Sequence, residues 1–243
     1  KNWQWLFAGS GAKYLWNSLK VTFLYSMGEI LVTMVGGMLL ALLFNRMTRS
    51  FGLMRAFVFV PKYVAMSSAA VVFLWILNTD SGVLNYLLQC IGLPAVDWLN
   101  QQSTALPSVL MLTGWRVIGY GMMIYLSAMM GISQEYYEAA SLDGANGVQK
   151  FFRITLPLLS PTTLFLLVTT FLSSMKVFQS VDILTSGGPA RSTEVFVYLI
   201  YRYAMVDFRM DRAATAAVMF FLILLVITVL TMKVSDRSVT YDS

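Results

Sequence analysis

Five long apolar stretches alternate with shorter polar segments along the chain. The stretches are Leu19–Phe44, Phe57–Leu77, Val109–Met130, Leu158–Val177 and Ala213–Met232. Each reaches the ~20 residues that a helix needs to cross the hydrocarbon core of a bilayer. Backbone amides in lipid have no water to bond, so each stretch should satisfy them within an α-helix. The pattern therefore predicts an all-α, polytopic bundle with five transmembrane spans.

A polar island separates the third stretch from the fourth and reads E-Y-Y-E-A-A-S-L-D-G-A-N-G-V-Q-K-F-F-R-I-T-L-P-L-L-S-P from Glu135 to Pro161. Helix formers precede Asp143 and Gly144, and glycine commonly ends a helix because it adopts positive φ readily. Apolar residues at helical spacing favour a second short helix, which Pro157 is predicted to stop because proline has no amide donor. The island should thus be two short helices joined by a bend.

The composition supports a membrane protein and excludes several kinds of chemistry. Hydrophobic residues make up 58% of the 243 residues and charged residues 12%, with a mean hydropathy of +0.68, which is typical of an integral membrane protein. The single Cys90 cannot form an internal disulfide, and the absence of histidine excludes imidazole metal sites and His-based catalysis. No phosphate-binding G-x-x-x-x-G-K-[ST] loop occurs. We therefore expect no enzyme activity, cofactor or metal in this chain.

The charge of the polar segments predicts the topology. Residues Asn45–Arg55 contain three arginines and no acidic residue, whereas Asn78–Thr104 contains two aspartates and no basic residue. Because cytoplasmic loops are enriched in Lys and Arg, the first segment is predicted inside and the second outside. Counting onward, Gly131–Pro157 and the tail 234–243 lie inside and Phe178–Arg212 outside, although this last segment has four arginines against four acidic residues. The net charge of +5 is thus interpreted as a topology signal, and no nucleic-acid partner is expected.

The start of the chain is predicted to lie on the outer face. Residues 1–18 contain Trp and Tyr side chains suited to the membrane interface, and no cleavable signal peptide precedes Leu19. We therefore expect a sixth, N-terminal span before Lys1 in the natural protein. The predicted organisation is an outer interfacial segment at 1–18, a transmembrane domain at 19–233 containing a cytoplasmic loop at 131–158, and the cytoplasmic tail.

The polar island also resembles a known family. The island contains Glu138-Ala139-Ala140, then Gly144 after three further residues, Ile154 after nine more, and Leu156-Pro157 after one more. With no departure in spacing, this pattern resembles the E-A-A loop of the permease subunits of ABC importers. In that family the loop lies in the cytoplasm and docks as a coupling helix into a groove of the ATP-hydrolysing subunit. The resemblance implies a coupling role for Glu138, Ala139, Ala140, Asp143, Gly144, Ile154, Leu156 and Pro157.

The external segments resemble the carbohydrate-uptake branch of this family, in particular the first permease type of sugar or glycerol-phosphate importers. The resemblance rests on Leu84–Leu88 and Leu184–Pro189 and departs at Asp211-Arg212, where the branch tends to have a small or aromatic residue. It implies import of a sugar or oligosaccharide across a prokaryotic inner membrane. The implied partners are a second, different permease, two ATPase subunits that bind ATP and Mg, an external solute-binding protein and lipid.

Two other classes of function stay open from the residues alone. A self-contained secondary transporter or channel would show the same apolar stretches, although no inverted repeat or paired broken helices are visible. A membrane-embedded enzyme would need a catalytic set, which cannot be assembled from this sequence.

Several polar and aromatic residues at similar depth suggest a solute pathway. The candidates are Trp115, Arg116, Tyr120 and Tyr125 in the third stretch and Lys176, Gln179 and Asp182 near the end of the fourth. Sugars stack on aromatic rings while polar groups bind their hydroxyls, but Trp and Tyr near span ends are also ordinary interfacial anchors. Glu29 lies at a depth similar to that of Arg116, so the two form a possible intramembrane pair. Lys62 and Lys176 are expected to extend to the interface.

Single-cysteine labelling checks the predicted topology. In a Cys90→Ser background, Arg49→Cys should react with a membrane-impermeant thiol reagent only after permeabilisation, because its segment is predicted to be cytoplasmic. Gln101→Cys, in the predicted external segment, should react in intact cells. Labelling of position 49 from outside in intact cells would contradict the topology.

Overall fold

The computed structural model describes residues 2–9, 11–45 and 49–238, and the regular secondary structure within them is helical. The helices are α1 (Asn2–Ala8), α2 (Gly11–Phe44), α3 (Arg49–Phe59), α4 (Met66–Ile76), α5 (Val83–Cys90), α6 (Ala105–Met130), α7 (Gln134–Leu142), α8 (Gly147–Leu158), α9 (Ser160–Ser174), α10 (Gln179–Thr185), α11 (Phe196–Val206) and α12 (Met210–Ser238). The predicted all-α bundle is confirmed. Arg46 and the last five residues of the predicted tail lie outside the described residues.

Three of the described helices are long and apolar enough to cross a membrane. They are Gly11–Phe44, Ala105–Met130 and Met210–Thr231. Two bent helix pairs, α3 with α4 and α8 with α9, bring the number to five if each pair counts as one span. Because the bent pairs occupy the positions of the second and fourth predicted spans, the count of five stays a prediction.

The predicted continuous helix over Phe57–Leu77 is wrong. A 3-10 turn over Val60–Tyr63 ends the first half, and the two halves are bent by 103°. Pro61 lies in this turn, where it has no amide to donate and its ring opposes a continuous helix. Val64 follows with extended backbone, φ −65° and ψ 132°, before α4 starts.

The second short helix ends one residue after Pro157, close to its predicted stop. Helix α8 runs through this proline to Leu158, and the chain bends by 63° before α9. A π-helical turn over Phe151–Thr155 precedes the proline, so the amide of Leu156 bonds the carbonyl of Phe151, five residues back. This wider turn shifts the hydrogen-bond register ahead of Pro157, and the helix accommodates the missing donor.

Helices α2 and α6 cross at close range because glycine lies at the contact. A Cβ on Gly37 would lie 2.8 Å from the carbonyl carbon of Gly121, and a Cβ on Gly121 would overlap the carbonyl oxygen of Thr33. Thr33 belongs to a π-helical turn of α2 at Val32–Gly36. Small residues allow helix backbones to approach in lipid, where burying apolar side chains gives no preference for association.

The buried core extends to both sides of this crossing. On one side, Tyr25, Phe73, Leu112, Leu184 and Tyr198 form a cluster, and on the other Met38, Met122, Tyr125, Leu126 and Leu166 form a second. A third cluster, which includes Leu6, Leu15, Phe196, Leu199 and Phe220, joins the N-terminal helices to α11 and α12. The α2–α6 pair therefore connects the core on both sides.

A single methyl group at the crossing should destabilise the protein. Gly121→Ala should cost ~1–3 kcal/mol because the backbone of α2 would have to move. The matched control is Gly52→Ala, where a Cβ would meet nothing within 4 Å. Thermal unfolding of the purified protein in detergent should show a lower Tm for Gly121→Ala alone, and equal Tm values for both variants would contradict the close crossing.

Candidate functional site

The predicted coupling loop folds as two short helices with a sharp bend, which confirms its predicted form. Ser133 caps α7, where its hydroxyl accepts a hydrogen bond from the amide of Glu135. Gly144 adopts φ +77° at the bend, a conformation that side chains with a Cβ resist. Asn146 and Gln149 then form a capping box at the start of α8, in which each side chain bonds the other's backbone amide.

Two side-chain hydrogen bonds join the halves of the loop. The hydroxyl groups of Tyr137 and Thr155 lie 2.9 Å apart, and Lys150 Nζ donates to Ser141 Oγ over 2.6 Å. A groove of about 360 Å³ lies between the halves and is lined by Ala140, Asp143, Gly144, Ala145, Gln149, Lys150, Arg153 and Ile154. Tyr137 and Lys150 thus bond α7 to the chain that leads into the bundle.

The loop presents apolar and charged side chains at its surface. Leu142 is 90% exposed, and Tyr136, Val148 and Phe152 are also exposed. Among the predicted coupling residues, Ala140, Asp143, Gly144 and Ile154 line the groove, Glu138 and Ala139 lie exposed on α7, and Leu156 and Pro157 lie at the end of α8. An exposed apolar patch with a polar rim is typical of a surface that binds another protein.

A polar cleft of about 220 Å³ opens between α2, the break after α3, α6 and α9. Its lining residues are Glu29, Thr33, Lys62, Val117, Tyr120, Thr169, Thr170 and Ser173. Lys62 Nζ lies 4.8 Å from the ring centroid of Tyr120, which is within the range of a cation–π contact. Lys62 therefore lines the cleft, and its extension to the interface stays a prediction.

Arg116 bonds the broken helix. Its Nη2 donates to the carbonyl oxygens of Lys62 and Val64 over 3.1 and 2.8 Å, and its Nη1 lies 3.5 Å from Met66 Sδ. The salt bridges between described residues do not include the predicted pair of Glu29 and Arg116. The Arg116 guanidinium instead donates to the carbonyl oxygens freed at the break. Glu29 lies beside Tyr25.

The other predicted pathway residues are scattered. Tyr120 lines the cleft, whereas Tyr125 is buried in the core with its hydroxyl 3.3 Å from Thr163 Oγ1. Trp115 packs on Phe73 beside an apolar pocket. Lys176 and Gln179 are exposed, Asp182 is half-buried, and these three do not line the cleft.

Sequence reasoning missed most of the cleft. Lys62 follows Pro61 directly, and a proline inside an apolar stretch is a recognised sign of a helix break. Thr169, Thr170 and Ser173 share a helical face through their spacing of three and four residues. These two patterns are the signals that could have identified the cleft.

The predicted external segment is held together by a buried carboxylate. Glu194 is fully buried and accepts from Arg191 over 3.2 Å and from Arg202 over 2.7 Å. The hydrogen bond to Glu194 raises the pKa of the Arg202 guanidinium above its ordinary value. Arg191 also stacks 3.7 Å over the Tyr14 ring, and Asn17 donates to the Arg191 carbonyl over 2.9 Å. The segment is thereby fixed to the start of α2.

Comparison with known proteins gives a consistent result. The family described as "Binding-protein-dependent transport system inner membrane component" matches residues 5–241. A relative from Bacillus subtilis, the "Probable ABC transporter permease protein YurN", is 35% identical over 214 residues, which cover 86% of this chain and 73% of the relative. The "sn-glycerol-3-phosphate transport system permease protein UgpA" of Agrobacterium fabrum is 34% identical over 233 residues, which cover 96% of this chain and 79% of the relative.

Solved structures show the same fold. A bacterial ABC transporter involved in the import of the acidic polysaccharide alginate matches with a TM-score of 0.82 at 28% identity, over 92% of this chain and 79% of that one. The bacterial alginate ABC transporter in complex with an alginate pentasaccharide-bound periplasmic protein matches with a TM-score of 0.81 at 29% identity, over 91% and 78% of the two chains. Sequence and fold agree, and this chain belongs to the family of binding-protein-dependent transport system inner membrane components.

Proposed function

We propose that the chain is the membrane-spanning permease subunit of an ATP-driven importer for a sugar or oligosaccharide that an external solute-binding protein delivers. It pairs with a second, different permease and with two ATPase subunits that bind ATP and Mg. The family match and the names of the relatives support the transport role. A self-contained transporter or channel is the alternative, and it would have no use for an exposed docking loop.

The observation that carries the proposal is the form of the coupling loop. Its two helices are joined by hydrogen bonds from Tyr137 and Lys150 and turn at Gly144. A loop held in one shape can transmit a displacement, whereas a flexible connector would absorb it. The exposed Leu142 and Tyr136 give it an apolar surface that a groove on an ATPase subunit can bury.

The loop is continuous with the wall of the cleft. Helix α8 leads through the bend at Leu159 into α9, which supplies Thr169, Thr170 and Ser173 to the lining. When the ATPase subunits close, they displace the loop, and α9 moves relative to Glu29 and Lys62 on the opposite side. The cleft then changes its opening from one side of the membrane to the other, as alternating access requires.

Changing the bend should break the link between the ATPase subunits and the membrane bundle, so that solute no longer stimulates ATP hydrolysis or uptake. Gly144→Val places a β-branched side chain at φ +77°, where the strain of ~1–3 kcal/mol should reorient α8. Solute-stimulated ATPase activity and uptake in reconstituted vesicles should fall together, while solute binding to the external protein is unchanged.

The matched control for the bend is Gly147→Val. Gly147 belongs to the same loop, a Cβ at this position would meet nothing within 4 Å, and its backbone does not require positive φ. This variant should keep most of the stimulation and uptake. If Gly144→Val also keeps both in full, the loop is only a connector and the coupling role is refuted.

Reversing the charge of Glu138 should weaken docking without affecting the fold. Glu138 is exposed and forms no salt bridge within the described part of the chain. Glu138→Lys should lower co-purification of the ATPase subunits and ATPase stimulation more than Glu138→Gln, while both keep the wild-type Tm. Equal stimulation in all three proteins would show that this face of α7 does not meet the ATPase.

A further inference from the structure

We propose that the polar cleft binds the anionic group of an acidic sugar, a carboxylate or a phosphate ester, through Lys62. This inference rests on the proposed function and specifies the solute class that the cleft accepts. The hydrogen bonds and the charges of the groups around the cleft support it.

The cations beside the cleft have hydrogen-bond donors without acceptors. Lys62 Nζ contacts the Tyr120 ring, and no hydrogen bond of this ammonium is found within the described residues. Arg116 Nε is buried and has no partner there, while Nη2 of the same side chain bonds neutral carbonyls. An ammonium carries three donors and no acceptor, so a ligand with acceptor oxygens could bond Lys62 Nζ in the cleft.

The charges around the cleft do not balance. Lys62 and Arg116 are both close enough to act electrostatically on Glu29, which is buried at 7% exposure. One carboxylate against two cations leaves one positive charge uncompensated within the described residues. Charges taken out of water are stabilised by an opposite charge at hydrogen-bond distance, so an anionic ligand would be favoured over a neutral one.

The rest of the lining fits a polyhydroxy solute. Thr33 and Thr169 donate their hydroxyl hydrogens to carbonyls of their own helices, those of Glu29 and Phe165. Thr170 and Ser173 show no such bond in the described structure, so their hydroxyls are available to a ligand. Sugar hydroxyls can bond these groups and Glu29 while the anionic group bonds Lys62.

The names of similar proteins agree with an anionic solute. UgpA is named for sn-glycerol-3-phosphate, a phosphate ester, and the structural neighbour is described as involved in the import of alginate, an acidic polysaccharide. Carboxylate and phosphate groups both offer oxygen atoms that can accept hydrogen bonds from Lys62. The experiment must therefore distinguish a sugar carboxylate from a phosphate ester.

The test measures uptake into vesicles that contain the complete complex with its binding protein. The labelled solutes are an oligouronate, sn-glycerol-3-phosphate and a neutral malto-oligosaccharide. We expect ATP-dependent uptake of one of the two anionic solutes, which identifies the anionic group. Lys62→Met should raise the KM for that solute about tenfold or more, because a charge-assisted hydrogen bond is lost.

Two further variants and a control separate charge from structure. Lys62→Arg keeps the cation and should restore the KM to within a few-fold of wild type. Glu29→Gln removes the competing carboxylate and should lower the KM, in the direction opposite to Lys62→Met. Lys233→Met removes an exposed lysine at the end of α12 and should leave uptake unchanged.

The outcomes distinguish this inference from the proposed function. A wild-type KM for the anionic solute in Lys62→Met would overturn the role of Lys62. ATP-dependent uptake of the neutral oligosaccharide alone would overturn the anionic class and leave the importer function intact. Absence of ATP-dependent uptake of both anionic solutes would likewise overturn the anionic class, whereas the importer function is tested by the stimulation of ATPase activity in the loop variants.

Discussion

The hydrogen bonds from Arg116 to the carbonyls of Lys62 and Val64 are the interaction on which the candidate site depends. A helix broken within the bundle exposes carbonyl oxygens that lipid cannot satisfy. Arg116, on α6, supplies donors to both carbonyls and so fixes the break against the central helix pair. The side chain of Lys62 is directed over Tyr120 as a result, and the cleft acquires its cation. Without Arg116, the break at Pro61 would leave the carbonyl oxygens of Lys62 and Val64 without these hydrogen bonds, beside the charged side chain of Lys62.

The external segment shows a different use of arginine. Arg191 and Arg202 share the buried Glu194, and Arg212 lies 3.9 Å over the Trp5 ring. These guanidinium groups bond parts of the fold to one another, so their number says little about which side of the membrane they occupy. This explains why Phe178–Arg212, which is predicted to lie outside, contains as many arginines as acidic residues.

The sequence predicted the coupling loop better than the cleft, for a physical reason. The loop depends on local signals, namely helix formers, a glycine at positive φ and an N-capping asparagine, which act over a few residues. The cleft depends on contacts between helices that are distant in the sequence, and the local pattern of residues does not predict such contacts. Glu29 and Arg116 are predicted at similar depths, yet Arg116 bonds a backbone that is freed only because α3 and α4 are bent apart. The place of Lys62 in the cleft was missed for the same reason, since it depends on the break at Val60–Tyr63 and on the neighbouring Tyr120.

The bend at Leu159 has a mechanical consequence. Leu159 is 1% exposed and belongs to the cluster around Met122, so the bend between α8 and α9 is packed into the core. At 1.5 Å per residue, α8 is roughly 18 Å long and α9 roughly 22 Å. If α8 and α9 rotate together about the bend at Leu159, their free ends move by nearly equal distances because the two helices are nearly equal in length. A shift of a few ångströms at the coupling loop would therefore produce a shift of similar size at the far end of α9, comparable to the width of a sugar hydroxyl contact.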